Sequence, residues 1–421
     1  MKIKYFGLFL FVSIVQLLVA QEELTIESCL SNALSYNPLQ KQKEYFNSIQ
    51  TYQTKNANKS WLPQVNIIGQ ATYQNKTIEL PIKLPGLNIE TPSKDQYKVY
   101  ADIQQNIYDG GLIAAQKNAI QIQSAADTKR VDNELYKIKE KIIQLYFNAL
   151  FIDNQIEQSK IVEKDLMALA EKVKAATQNG VSSKYNEAVV GVEIEKLHQK
   201  QMELSSTKSS IIQSLNKLTN KQYADNVRFT NPTFVQTISK EIKRSEIELL
   251  QIQQLQLNNL SEIANRKTLP KLGAFGQVGY GRPGLNQLSN AFEGYAIGGL
   301  RLAWNLSSLY TFHNEKEAIQ LQSKSVDAQK EAFLLLTETA INNQIVEIEK
   351  YKNLSESDNQ IILLRKKIKE ASKAMLDNGV YTYQDYLKDL DAEDAAKTTK
   401  ALHDIQLIQS NYLLQLQLGN L

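Results

Sequence analysis

Two stretches of the chain decide its fold, because the second is a copy of the first. Residues 61–73 read WLPQVNIIGQATY and residues 268–280 read TLPKLGAFGQVGY, at an offset of 207 residues. The Leu-Pro pair, a Gly-Gln pair and the final tyrosine coincide. Similarity at a fixed spacing indicates a duplicated structural unit. The sequence therefore predicts two related halves.

The duplication continues beyond these stretches at an offset of 199 residues. The matching residues are Asn106 and Asn305, Ala119-Ile120-Gln121 and Ala318-Ile319-Gln320, and Asn179-Gly180-Val181 and Asn378-Gly379-Val380. The change of offset falls between the two predicted strands of each half, so the first half has the longer loop. A register kept from Asn106 to Val181 is not expected by chance.

Apolar and polar residues alternate in four blocks, two in each half. The apolar positions are Val65, Ile67, Gly69, Ala71 and Tyr73, then Tyr97, Val99, Ala101, Ile103 and Ile107, then Leu272, Ala274, Val278 and Tyr280, then Leu300, Leu302, Trp304 and Leu306. A period of two is typical of a half-buried strand in a soluble sheet or of a membrane-barrel strand with its apolar side outward. The fourfold recurrence favours the barrel.

Two long segments have the composition of unbroken helices. No proline lies between Pro92 and Pro232 or after Pro283, and proline is the residue that most strongly breaks a helix. Apolar residues also recur at alternating spacings of four and three, a heptad pattern. They are Val131, Leu135, Ile138, Ile142, Leu145, Ala149, Ile152 and Ile156. A helix of such length would measure about 100 Å at about 1.5 Å per residue.

These patterns divide the chain into four parts. Residues 1–20, with two lysines before an apolar run, predict a secretory signal peptide. Repeat 1 covers 21–218, a linker or equatorial region covers 219–240, and repeat 2 covers 241–421. Each repeat reads helix, hairpin, long helix, tight glycine turn and returning helix. In repeat 1 the hairpin is predicted at about 62–108, the long helix at about 111–178 and the returning helix at about 182–218. In repeat 2 the same elements are predicted at about 269–306, 309–377 and 382–418.

Four strands cannot close a barrel in a membrane. Unpaired sheet edges are not tolerated in lipid, and at least eight strands are needed. Two copies of the chain would give eight strands and three would give twelve. The sequence therefore predicts an obligate oligomer.

Composition and motifs argue against several other functions. The net charge of +3 leaves no basic excess for binding nucleic acid. No nucleophile, metal or cofactor cluster is apparent, so an enzyme is not expected. Gly279–Gly284 fits G-x-G-x-x-G, but Pro283 and the following residues predict a strand where a nucleotide site needs a helix. Asp389, Asp391 and Glu393 imitate calcium-loop spacing, yet they are interpreted as a solvated helix face.

The order of these features resembles that of the TolC-type outer-membrane efflux family. The resemblance rests on Leu24-Thr25-Ile26-Glu27, Ala33, Asn37-Pro38, Leu62-Pro63, Leu269-Pro270, Tyr108-Asp109-Gly110-Gly111 and the two glycine turns. It covers nearly the whole chain after the signal peptide. The second half departs from the family pattern, because Ser307-Ser308-Leu309 replaces the Asp-Gly-Gly corner.

The resemblance implies a mainly α protein with a transmembrane β-barrel in the outer membrane of a Gram-negative bacterium. Its tandem helix–hairpin–long helix–helix units would form a homotrimer, with a twelve-stranded barrel in lipid and a coaxial α-helical tunnel in the periplasm. Such a protein is the exit duct of a tripartite efflux or type I-like secretion system. Its partners would be a periplasmic adaptor and an inner-membrane transporter, proton-driven or ABC. The alternative is an exported coiled-coil structural or adhesive protein.

The resemblance also implies functional residues near the glycine turns. The tips through which the adaptor docks would be Asn179, Gly180, Val181, Asn378, Gly379 and Val380. The family's constricting aspartate falls at Asp385, so we expect its carboxylates to ring a closed aperture. The first half has Asn186 at that place, and Lys388 replaces the family's next acid. The alternative is that Asp385 is a solvated acid on a helix surface.

Overall fold

Helices and two antiparallel hairpins make up most of the structure, a computed structural model that describes residues 23–78, 92–233 and 241–421. The predicted signal peptide and part of the 219–240 segment lie outside the described residues. In chain order the elements are β1 (Glu23–Leu24), α1 (Ile26–Tyr36), α2 (Leu39–Lys59), β2 (Gln64–Tyr73), β3 (Asp95–Tyr108), α3 (Leu112–Gln178), α4 (Lys184–Thr219), β4 (Arg228–Phe229), α5 (Ser245–Lys267), β5 (Lys271–Arg282), β6 (Glu293–Ala303), α6 (Ser308–Asp377) and α7 (Tyr383–Leu418).

Each proline-free segment contains one very long helix. Helix α3 has 67 residues and α6 has 70, where the sequence predicts 111–178 and 309–377. The returning helices α4 and α7 have 36 residues each. Because these segments contain no proline, every residue can donate its backbone N–H to a helical hydrogen bond, and the helix continues without interruption. None of the helices in the described residues has an apolar stretch long enough to span a bilayer.

The two strand-to-helix corners are built by side-chain acceptors at different positions of the repeat, Asp109 in the first half and Asn305 in the second. Asp109 accepts hydrogen bonds from the backbone N–H groups of Gly111 at 2.8 Å and Ile113 at 2.5 Å, which satisfies donors at the start of α3. Asn305 accepts from the backbone N–H of Ser307 at 3.1 Å before α6. The second corner thus lacks the two glycines but keeps a side-chain acceptor for the same purpose.

The two hairpins join into one sheet with the strand order β2-β3-β5-β6, and all neighbours are antiparallel. The register places Val65 opposite Ile103, Ala101 opposite Val278, and Gln277 opposite Ile297. The inner pair, β3 and β5, joins the first half of the chain to the second. Within the described residues, β2 and β6 each have one sheet neighbour.

The compact units of the structure do not follow the sequence repeats. One unit takes the chain up to Asn37, Tyr136–Ile242 and Thr339–Leu421, and the other takes Pro38–Leu135 and Lys243–Glu338. Each unit therefore contains segments from both repeats. The repeats describe how the sequence is related to itself, whereas the units describe which segments pack together.

The first unit has a large apolar core around Tyr146 and Phe147, which are at most 1% exposed. The Tyr146 hydroxyl donates to the carbonyl oxygens of Leu24 and Thr230, each at 2.8 Å, beside the short parallel pair β1 and β4. Burial raises the pKa of Tyr146. Tyr412 from the C-terminal end of the chain packs against Phe147. Tyr223, Val227 and Phe229 from the described part of the 219–240 segment belong to this core, together with Leu24 of the N-terminal strand.

Candidate pore wall and helix turns

One face of the four-stranded sheet is apolar and exposed. Large apolar side chains on this face that are at least 57% exposed include Val65, Ile67, Tyr73, Val99, Val278, Tyr280, Leu300 and Leu302. Soluble monomers rarely expose a contiguous apolar surface of this kind. In a soluble protein, these side chains of a half-buried sheet would pack against a hydrophobic core. The apolar face therefore needs an apolar partner that the described residues do not supply.

The opposite face of the same sheet is polar and hydrogen-bonded. Asp102, which is 8% exposed, accepts from the side-chain amides of Gln104 at 2.7 Å and Gln277 at 2.9 Å. Asn66 lies opposite Asp102 in the register, and Gln64 lies opposite Gln104. Because successive side chains of a strand point to opposite faces, one alternating sequence produces both surfaces.

The two glycine turns of the first unit are constructed in the same way. Gly180 has φ 75° and Gly379 has φ 74°, the left-handed region in which glycine is favoured. The next residue donates a backbone hydrogen bond across the turn, from Val181 to Ala176 at 2.8 Å and from Val380 to Met375 at 2.9 Å. These bonds satisfy carbonyl groups that the end of a helix leaves free. A Cβ on either glycine would meet nothing within 4 Å, so backbone conformation alone requires glycine.

The predicted docking residues lie at these turns, and their valines are open to the surroundings. Val181 is 82% exposed and Val380 is 73% exposed. The Asn378 side chain donates to the Ala374 carbonyl oxygen at 2.8 Å and so also caps α6. The turns of α3–α4 and α6–α7 thus each present an exposed valine directly after a glycine. The docking role stays a prediction.

Asp385 has a structural contact that the sequence analysis missed. It lies in the first turn of α7, where its backbone N–H donates to the Thr382 hydroxyl oxygen at 3.1 Å. Its carboxylate accepts from the Thr382 hydroxyl at 2.6 Å and from the Thr382 backbone N–H at 3.2 Å. This reciprocal pair is a capping box. The hydrogen bonds from Thr382, followed by the nearby Lys388 ammonium, lower the pKa of Asp385.

The matching position in the first half does not have this arrangement. Asn186 in α4 donates its side-chain amide to the Ser182 hydroxyl oxygen at 3.1 Å, and no side chain caps α4. A threonine three residues before an acid at the start of a helix is a sequence signal for the capping box. Thr382 and Asp385 show that signal. Asp385 is exposed, which leaves its carboxylate open to ions.

A buried carboxylate on α7 pairs with two lysines, contrary to the predicted solvated face. Glu393 on α7 is 3% exposed. Its oxygens lie 2.6 Å from the Lys369 ammonium and 2.9 Å from the Lys397 ammonium, and Lys369 also lies 3.6 Å from Asp165 on α3. Burial acts to raise the pKa of Glu393, yet hydrogen bonds from the two lysines lower it overall.

The interpretation of Glu393 as a solvated acid was therefore wrong. The signal against it is the spacing of the buried residues Tyr386 and Leu390, which precede Glu393 by seven and three positions. That heptad spacing places Glu393 on the packed side of α7. Lys397 one turn later was visible in the sequence, whereas Lys369 comes from a different helix.

The structure does not support a ligand site at the G-x-G-x-x-G segment or at the acidic residues with calcium-loop spacing. Gly279 and Gly281 lie within strand β5, and the next element is β6. A dinucleotide site would need a helix at that point to receive the phosphates. In the described ranges, no group of three or more histidine, cysteine or acidic side chains is arranged to hold a metal ion.

Comparison with known proteins gives similarity at the level of structure. No protein-family model matches the chain, and no curated protein matches it. The solved outer-membrane channel OprN is similar with a TM-score of 0.70 at 11% identity, covering 94% of this chain and 90% of that one. The outer-membrane protein VceC of Vibrio cholerae gives 0.66 at 13%, covering 93% and 94%. The CmeC outer-membrane channel of Campylobacter jejuni gives 0.68 at 16%, covering 94% and 85%.

The similarity extends over more than nine-tenths of the chain. At such low identity it concerns the fold. The proteins that share this fold are described as outer-membrane channels. The exposed apolar sheet face is what such a fold requires. The chain therefore has the TolC-type fold of the outer-membrane channels.

Proposed function

We propose that this protein is an outer-membrane channel that serves as the exit duct of an efflux or type I-like secretion system. The observation that carries the proposal is the sheet, which has an exposed apolar face, a polar opposite face and two edge strands without a second neighbour in the described chain. A sheet with these properties suits lipid on one side and water on the other. The TolC-type fold supports the same function.

The channel would be a homotrimer. One chain supplies four strands, and edges must be paired in lipid, since no water is present to satisfy them. Three copies would form a barrel of twelve strands, as the family resemblance implies. In such a barrel β6 of one copy would pair with β2 of the next, and the polar faces would line the lumen.

The long helices would continue the path below the membrane. The signal peptide predicted at residues 1–20 fits export to the periplasm, where the helices would form the tunnel. The exposed Val181 and Val380 at the turns offer an apolar contact for a periplasmic adaptor. The adaptor would connect the duct to an inner-membrane transporter, which supplies the energy. The duct itself acts by offering a wet, polar-lined route.

Purification of the full chain in mild detergent tests this function directly. We expect a particle with the mass of three chains plus detergent, and stepwise ionic currents when it is added to a planar lipid bilayer. The alternative, a coiled-coil structural or adhesive protein, would be released from cells without detergent and would give no current. A monodisperse, detergent-free monomer would contradict the proposal.

We further propose that Asp385 restricts the aperture of the closed channel. Three exposed carboxylates near the turns would repel one another and attract cations, which suits a gate that is only marginally closed. The capping box supports this role, because two hydrogen bonds to Thr382 fix the carboxylate. The same contacts also explain Asp385 as a capping residue alone, so the two roles must be separated by experiment.

Substitutions that remove the charge and the cap independently separate these roles. Asp385→Asn keeps an acceptor for Thr382 but removes the charge, and we expect it to raise conductance and weaken block by multivalent cations. Thr382→Ala keeps the charge and removes the cap, which should cost about 1 kcal/mol of stability and leave cation block unchanged. If Asp385→Asn conducts like the wild type while Thr382→Ala alters the current, Asp385 acts only as a cap. Single-channel recordings and melting curves provide both readouts.

A further inference from the structure

The polar face of the sheet carries an arginine stacked on an aromatic ring. Arg301 lies opposite Gly273, and Phe275 lies opposite Gly299, so the four residues occupy neighbouring positions on one face of β5 and β6. Gln104 pairs with Phe275 from β3, which identifies this face as the polar one. The central carbon of the Arg301 guanidinium lies 4.7 Å from the centroid of the Phe275 ring. This distance is within the range of a cation–π contact.

A glycine makes room for this stack. A Cβ on Gly299 would lie 3.0 Å from Cε1 and 3.2 Å from Cζ of Phe275, closer than ordinary contacts. The ring therefore lies against the backbone of β6. Gly298, the preceding residue, belongs to the opposite face, and a Cβ there would meet nothing closer than 3.7 Å. Because residue 299 has no side chain, the Phe275 ring can lie flat against β6, and Arg301, which stacks on the ring, stays close to the sheet.

The charge of this part of the wall is positive. Arg301 is exposed, and a guanidinium stays protonated in proteins. Lys271, also exposed, is the next cation on this face, at the end of β5 that adjoins α5. Of the acids on this face, Asp102 lies within electrostatic range of Arg301. Asp102 is nearly buried under its two glutamine donors, and Glu293 lies at the far end of β6, where it accepts from the Ser289 hydroxyl at 2.9 Å.

We propose that Arg301, held on Phe275, determines the ion selectivity of the pore at the helix-proximal end of the barrel. This inference rests on the proposed function, because only a closed barrel turns the polar face into a lumen. Three copies would place a ring of guanidinium groups around the path. Rings of arginine or lysine favour anions in pores. Solutes that carry carboxylate, phosphate or sulfate groups would pass this level more readily than cations of the same size.

Reversal potentials across a potassium chloride gradient test the proposal. We expect Arg301→Gln to lower the ratio of chloride to potassium permeability about twofold or more, and Arg301→Lys, which keeps the charge without the planar stack, to retain most of it. All variants have the same turns, so the Asp385 region contributes equally to each measurement. An unchanged ratio in a conducting Arg301→Gln channel would overturn the inference while leaving the proposed channel function intact. A wild-type protein without any current would instead refute the function.

The glycine provides a second, independent test. Gly299→Val should push the Phe275 ring away from the wall and into the lumen, and thereby reduce single-channel conductance. Gly298→Val, on the opposite face, is the matched control and should conduct like the wild type. Equal conductance of the two variants would show that the Phe275–Arg301 stack does not approach the path of ions.

Discussion

Lysine in place of Leu300 is expected to remove most of the protein from the membrane fraction and to abolish stable trimers. Leu300 is 69% exposed on the apolar face of the sheet. A lysine that faces lipid costs about 2–4 kcal/mol at the middle of the bilayer and less towards its edges, and a symmetric trimer would incur the cost in all three copies. Fractionation, followed by native electrophoresis in mild detergent, measures both losses.

The matched control places the same side chain on the opposite face. Asn66 is exposed and lies opposite Asp102 in the register, so Asn66→Lys adds a cation where water and a carboxylate are near. We expect this variant to reach the membrane and to form trimers as the wild type does. If the two lysine variants behave alike, the faces of the sheet do not differ in their surroundings, and the barrel proposal fails.

Glu393→Gln is expected to lower the stability of the helical unit by about 1–3 kcal/mol, because it removes the buried carboxylate that two partly exposed ammonium groups share. The carboxylate is nearly inaccessible and is bonded to Lys369 and Lys397. The amide that replaces it cannot compensate for two ammonium groups. The melting temperature of the detergent-solubilised protein should fall by several degrees.

An exposed pair supplies the control for this substitution. Glu347 and Lys350 form an ion pair one turn apart on α6, with 41% and 44% of their side chains exposed. Such surface pairs contribute little, so Glu347→Gln should melt at the wild-type temperature. If Glu393→Gln also melts there, the buried ion pairs do not stabilise the fold.

The pH dependence of Glu393 adds a second readout. Because its pKa is lowered in the folded protein, its contribution to stability is present above the pKa of an unfolded glutamate. The contribution is lost as the pH falls through the lowered folded value. The difference in melting temperature between wild type and Glu393→Gln should therefore shrink in acid.

The long-range order of the fold could be predicted from the sequence because its signals are periodic. The alternation of apolar and polar residues predicted the two faces of the strands, and the lack of proline predicted the long helices. Asn179-Gly180 and Asn378-Gly379 predicted the turns. Each of these signals depends on neighbours in the chain. Such local rules do not require knowledge of packing.

What the sequence analysis missed depends on contacts between distant residues. Lys369 and Glu393 meet across two helices, and the parallel pairing of β1 with β4 joins residues about 200 positions apart. The stack of Arg301 on Phe275 depends on the register between β5 and β6. The capping box at Thr382 and Asp385 is the exception, because its spacing was readable and was overlooked.

The pairing of β3 with β5 has a consequence for how the assembled channel comes into being. Together with the two hairpins, it forms three strand junctions within one polypeptide and leaves β2 and β6 as the edges of the sheet. In the proposed trimer the fourth junction of each subunit would form only when two different molecules meet. The yield of finished channels should therefore depend steeply on how many newly exported chains are present at once, and premature collisions in water would lead to aggregates.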